Sequence, residues 1–81
     1  MSKNYGALGV EHHIVNVRKY GMVVRLDDGS EWDVPPGDST IAACWYETQR
    51  VVVDESDSDL YPYKLTNLDT STPDVIKANL R

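Results

Sequence analysis

Eighty-one residues with a formal net charge of −5 allow one domain, with little room for both a core and a deep substrate cavity. Hydrophobic residues make up 41% and charged residues 26%, a globular balance, and the acidic surplus repels phosphate, which argues against nucleic-acid and anionic-membrane binding. Cys44 is the only cysteine, so an internal disulfide is excluded and a reducing, cytoplasmic setting fits.

The opening "MSKNYGALGVEHH" lacks the apolar run of a signal peptide. Residues 1–11 read as a flexible N-terminal segment ahead of a single domain over residues 12–81. No stretch approaches a membrane span. Short Val-rich runs bounded by turn residues, without a 3.6-residue stripe, predict strands at His12–Lys19, Met22–Leu26, Ser30–Val34, Thr40–Tyr46, Arg50–Asp54 and Leu60–Thr66. On the first of these, His12 and His13 are neighbours whose side chains point to opposite faces. That geometry does not suit joint chelation of one metal, so one exposed and one half-buried histidine is expected. Their titration near neutrality leaves a pH-sensing role open.

The second and third strands meet at "LDDGSEW". A two-residue Asp28-Gly29 loop would set Leu26 against Glu31 and Arg25 against Trp32, mixing apolar and charged residues on both faces. A three-residue Asp27-Asp28-Gly29 loop instead pairs Leu26 with Ser30, Arg25 with Glu31, Val24 with Trp32, Val23 with Asp33 and Met22 with Val34. The second register places Met22, Val24, Leu26, Trp32 and Val34 on one inward face, and a one-residue slip would invert every side chain. Such loops end in a left-handed residue, the position of Gly29, while Asp27 and Asp28 suit the turn because they bond nearby amides. The carboxylates here are therefore a turn and an outward face rather than a catalytic or metal site, which would need them desolvated.

After Val34, "PPGD" ends the strand. "STIAACWY" alternates, with Ile41, Ala43 and Trp45 on one face; a helical turn capped by Asp38 is the competing reading. Trp45, like Trp32, belongs to the core. Cys44 lies in apolar company and reads as a small buried hydrophobe, since nothing supplies the oxyanion site that thiol catalysis needs. "VVVD" reads as a central strand. "DESDSD" gathers Asp54, Asp57 and Asp59, but counting an EF-hand from Asp54 puts Asp59 and Leu65 where glycine and glutamate are required, so an acidic solvated loop is expected. In "LYPYKLTN", Tyr61 and Tyr63 share a face and Pro62 marks an edge strand or a bulge. Tyrosines beside an open edge favour protein contact, whereas packing over the barrel end is the alternative. At the C-terminus, Thr72-Pro73-Asp74 resembles a helix start, yet Ile76, Ala78 and Leu80 alternate as in a strand hairpinned to Leu60–Thr66. Five or six short strands in this length predict an all-β fold, a small barrel of antiparallel strands.

The run from Val15 through "GMVVRLDDGSEWDV", then Trp45, "VVVD" and Tyr63-Lys64-Leu65-Thr66-Asn67, resembles small uncharacterised bacterial proteins with SH3-like barrels. In that pattern a Gly-x-Val-x-Leu-x-Asp-Gly-Ser-x-Trp hairpin precedes a Trp, a β-branched strand and a Tyr-x-Leu-x-Asn strand. "ETQR" departs from it, standing where a Gly-Asp turn is usual, and no export signal is present. The resemblance implies the fold and no activity.

No nucleophile, base and oxyanion donor can be grouped, so the sequence predicts no catalytic residues, no cofactor and no metal. The expected role is a protein–protein interaction module contacting another protein through Asp57, Asp59, Tyr61 and Tyr63. Two alternatives stand beside it. One is an acidic inhibitor from phage or a mobile element that imitates nucleic acid, and the other a small metal- or ligand-responsive protein. The oligomeric state is left open.

Overall fold

The structure, a computed structural model, describes residues 5–81. Its strands are β1 (Glu11–Arg18), β2 (Val23–Leu26), β3 (Glu31–Asp33), β4 (Arg50–Glu55), β5 (Tyr63–Asn67) and β6 (Asp74–Leu80), with one helix, α1 (Pro36–Ala42), between β3 and β4. All neighbours are antiparallel and the order β1-β2-β3-β6-β5-β4 closes on itself through β1–β4 pairing. This is the expected all-β barrel, and the C-terminal segment is the expected strand rather than a short helix.

The β2–β3 hairpin adopts the three-residue register. Val23 pairs with Asp33, Val24 with Trp32 and Arg25 with Glu31. Gly29 takes φ +86° and donates its N–H to the Leu26 carbonyl at 3.0 Å. Val24, Leu26 and Trp32 are wholly buried, as alternation requires. Met22 departs from the expected inward face and is 42% exposed. Its backbone lies in the α region, just after a left-handed turn at Lys19–Gly21, so the alternation starts one residue later, at Val23.

Strand β1 serves both halves of the barrel. Residues Glu11 to His13 pair with β4 and residues from Ile14 onward pair with β2. A bulge between Ile14 and Asn16 bends the strand where it changes partner and turns Val15 outward. The inward residues Ile14, Val51, Val53, Leu65, Ile76 and Ala78 complete the core with Trp32 and Trp45. Within it, Asn67 is fully buried, and its amide donates to Gln49 Oε1 at 2.9 Å while its oxygen accepts the Asp69 N–H at 2.9 Å. A buried amide so satisfied costs the fold little.

Thr40–Tyr46 corrects the sequence expectation of a strand. Pro36 occupies the first helical position, where its fixed φ and missing N–H suit a helix start. Asp38 falls inside the first turn, and Pro35 is the cap. The helix buries Ala42 and, just beyond its end, Trp45, three residues on, rather than Ile41, Ala43 and Trp45. Cys44 is consequently exposed, not buried, with its Sγ 3.7 Å from the Thr40 carbonyl. Gly21 explains how close α1 lies: a Cβ there would stand 2.0 Å from the Ser39 carbonyl oxygen.

Candidate functional site

Two groups of polar side chains stand out on this scaffold. The first surrounds Tyr5. Its ring meets Trp32 edge-on at 5.0 Å between centroids, and Trp32 meets Tyr63 at 5.3 Å, so three aromatic rings close one part of the core. The Tyr5 backbone N–H donates to Tyr63 Oη at 3.0 Å. This portion of the N-terminal segment, set apart from the barrel by sequence, lies against it, and Gly9 also donates to the Val53 carbonyl at 2.9 Å.

The Tyr5 hydroxyl donates to Asp28 Oδ2 and faces His12 Nε2 at 3.0 Å. His12 Nδ1 lies 2.9 Å from Asp27 Oδ1, and His13 Nδ1 lies 3.3 Å from Asp27 Oδ2. The adjacent histidines are half-buried and exposed, as expected, yet both reach one carboxylate of the β2–β3 turn. Asp28 Oδ1 accepts from the Ser30 N–H and hydroxyl, and Ser30 Oγ accepts the Trp32 Nε1–H at 2.9 Å. The turn therefore supplies the acceptors for the Tyr5 hydroxyl and the Trp32 ring N–H.

This Asp27–His12–Tyr5 line has the connectivity of a nucleophile relay, but its chemistry is wrong for one. Burial, then the hydrogen bond and charge of Asp28, push the Tyr5 phenol well above its usual range, so it holds its proton. Desolvation acts to raise the Asp27 and Asp28 carboxyls. Hydrogen bonds from His12 and His13 to Asp27, and from Ser30 and Tyr5 to Asp28, outweigh it and hold both below the usual carboxylate range. Ionised acceptors around a protonated phenol make a hydrogen-bonded clasp that holds Tyr5 on the barrel.

The second group lies beside the β4–β5 loop. Ser56 donates its N–H to the Pro62 carbonyl at 2.8 Å and its hydroxyl to the Tyr61 carbonyl at 2.9 Å. Ser58 donates its N–H to Ser56 Oγ at 3.0 Å, and Ser58 Oγ accepts the Tyr61 N–H at 3.1 Å. The serines of "DESDSD" thus tie the loop into one shape by local side-chain-to-backbone bonds. Asp57 and Asp59 point to solvent, Leu60 is 74% exposed and Tyr61 is half-buried. Tyr63 corrects the expected contact surface, since it is only 8% exposed and forms part of the core. Pro62 ends the loop before β5, which is paired on both sides, so no open edge accompanies it.

Between this loop and α1 runs a groove of about 460 Å³ bordered by Glu55, Asp57 and Ser58 on one side and Asp38 on the other. Its floor holds Val75 with Lys64 and Lys77, which face each other across β5 and β6. Asp38 is engaged, accepting the Lys77 backbone N–H at 2.9 Å. Sequence reasoning found Asp57 but missed the lysine pair. The pair becomes visible only with the β5–β6 register, which sets Lys64 opposite Lys77.

Among the described residues, no three histidine, cysteine or acidic side chains are arranged to hold a metal ion, and no helix is long and apolar enough to cross a membrane. Family models, curated proteins and solved structures offer no match to this chain.

Proposed function

We propose that this chain is a non-catalytic protein-interaction module that meets its partner through the β4–β5 loop and the groove beside it. The observation that carries the reading is the serine-fastened loop, which holds Asp57, Asp59, Leu60 and Tyr61 outward in a fixed arrangement. A loop already ordered in the free protein loses less conformational entropy on binding. An exposed leucine ringed by acids suits a protein patch with an apolar centre and a basic rim. Phosphate-rich partners are opposed both by the overall charge and by the carboxylates on both walls of the groove. The proposal omits Tyr63 from the surface and adds Lys64 and Lys77 to it.

A photoreactive residue in place of Leu60 tests this in the cell of origin. The expected product is a discrete crosslinked protein that is absent when the same residue replaces Tyr20, which is 94% exposed on the β1–β2 turn. No crosslink from position 60, or the same product from both positions, would sink the reading.

A further inference from the structure

We propose that the groove takes an extended peptide segment of the partner that carries an acidic side chain two residues from a basic one. The acid would lie on Lys64 and Lys77, and the base on Glu55 and Asp57. This rests on the interaction-module reading and names the chemistry that the module selects.

Lys64 and Lys77 are direct cross-strand neighbours on the outward face of β5 and β6. Like charges so placed work against the sheet by a few tenths of a kcal/mol, roughly, and Asp54, opposite Lys64 on β4, offsets this on the Lys64 side while Lys77 has no such neighbour. Among the described residues every arginine but Arg25 is paired, Arg18 with Glu31, Arg50 with Asp69, and Arg81 with Glu31 and Asp33, whereas Lys19 and Arg25 stand alone on the surface as the groove lysines do. Among the described residues the two groove lysines have no ion pair, although acids line both walls. Glu55 and Asp57 are likewise unpaired and exposed. Of the three wall carboxylates, only Asp38 is occupied.

The site therefore offers two cations on its floor beside two anions on one wall. A ligand of one sign gains on one element and is repelled by the other. A ligand with both signs side by side gains on both, and this charge pattern selects it against polyanions and polycations alike. In an extended peptide, residues two apart share a face and stand about 6.5–7 Å from each other, so an acid and a base at that spacing are both presented to the same side of the groove. Val75, 48% exposed between the charges, gives an apolar seat for the side-chain stems.

Titration of the ¹⁵N-labelled 81-residue chain with acetyl-Thr-Glu-Val-Lys-Thr-amide, followed by amide shifts, tests the inference. Two control peptides replace the lysine by glutamate or the glutamate by lysine. The mixed peptide should shift the amides of Ser58, Lys64, Val75 and Lys77 and bind at least about fivefold more tightly than either control. The double variant Lys64→Gln, Lys77→Gln should bind it about tenfold more weakly while its remaining spectrum stays native. Equal affinities for the three peptides, shifts confined to other residues, or no shift at a few millimolar peptide, roughly the weakest binding of interest, would each overturn the proposal. If the crosslink from position 60 persists in those cases, the module reading stands and only this ligand chemistry falls. If that crosslink is absent while the mixed peptide still binds as expected, the groove assignment survives without the loop.

Discussion

Around Tyr5, the polar atoms of Tyr5, His12, Asp27, Asp28, Ser30 and Trp32 all have partners, whereas among the described residues the charges of Lys64, Lys77, Glu55 and Asp57 in the groove form no ion pair. Both places gather titratable groups on the surface of one barrel, and both would pass for a site if residue types alone were counted. The contrast lies in what folding has already used. At the clasp, hydrogen bonds satisfy each donor and acceptor and seat an aromatic ring on Trp32, so the chemistry is spent on architecture. In the groove Lys64 has Asp54 opposite it on one side but Lys77 on the other, and the like-charged pair opposes the sheet, so on the reading proposed above their chemistry is left for a ligand. Substitutions in the two places should accordingly separate stability from binding.

The largest effect is expected where the clasp meets the core. Trp32 is wholly buried, and Trp32→Ala should destabilise the protein by about 3–5 kcal/mol through lost burial and the cavity left behind. In a domain of this length that is a large share of the total, so urea unfolding should find the variant partly unfolded without denaturant. A Trp32→Ala protein with an unchanged unfolding midpoint would mean that Tyr5 and Tyr63 pack on nothing essential, and the comparison would lose its structural half.

A smaller loss should follow Tyr5→Phe, which keeps the ring on Trp32 and removes only the hydroxyl between Asp28 and His12. About 1 kcal/mol is the ordinary worth of such a hydrogen bond, somewhat more with an ionised acceptor. Peptide binding at the groove should be unaffected. Loss of binding in this variant would show the two regions to be coupled.

How far each region could be read from sequence differs for a physical reason. The "DDGSEW" hairpin was legible because strand alternation and a glycine at the left-handed position independently demand the same register, and both are local. The clasp was not legible: Tyr5 meets Tyr63 across 58 residues, and no local periodicity records such a contact. At α1, two periods coincided, since Ile41, Ala43 and Trp45 alternate while Ala42 and Trp45 stand at helical spacing. Pro36 was the deciding residue, because a proline without an N–H belongs at the first turn of a helix. "ETQR" holds Thr48 at φ +76°, a conformation glycine would adopt more readily. The groove was half legible, with its acidic loop plain in the composition and its lysine pair hidden until β5 and β6 had a register.

Acidification should act on the clasp. Asp27 and Asp28 have carboxyls held below the usual range in the folded chain, against about 3.9 when unfolded. Groups depressed in this way add stability that is present above the unfolded value and disappears as pH falls through the folded one. Thermal stability should therefore decline below pH ~4, and Asp28→Asn should flatten part of that decline. An identical pH profile in Asp28→Asn would remove Asp28 as a contributor.

The smallest effect is expected at Lys77, and it sharpens the contrast most. Lys77→Gln leaves the backbone N–H that Asp38 accepts and removes one of two like charges facing each other across the strands. The variant should be as stable as the parent or up to about 0.3 kcal/mol more stable, readable as an unchanged or slightly raised unfolding midpoint in urea. Binding of the mixed-charge peptide should weaken in the same protein. A residue whose removal leaves the fold untouched and weakens a ligand is held for that ligand. A loss above about 1 kcal/mol, beyond what an exposed substitution ordinarily costs, would instead make Lys77 part of the architecture and erase the distinction between groove and clasp.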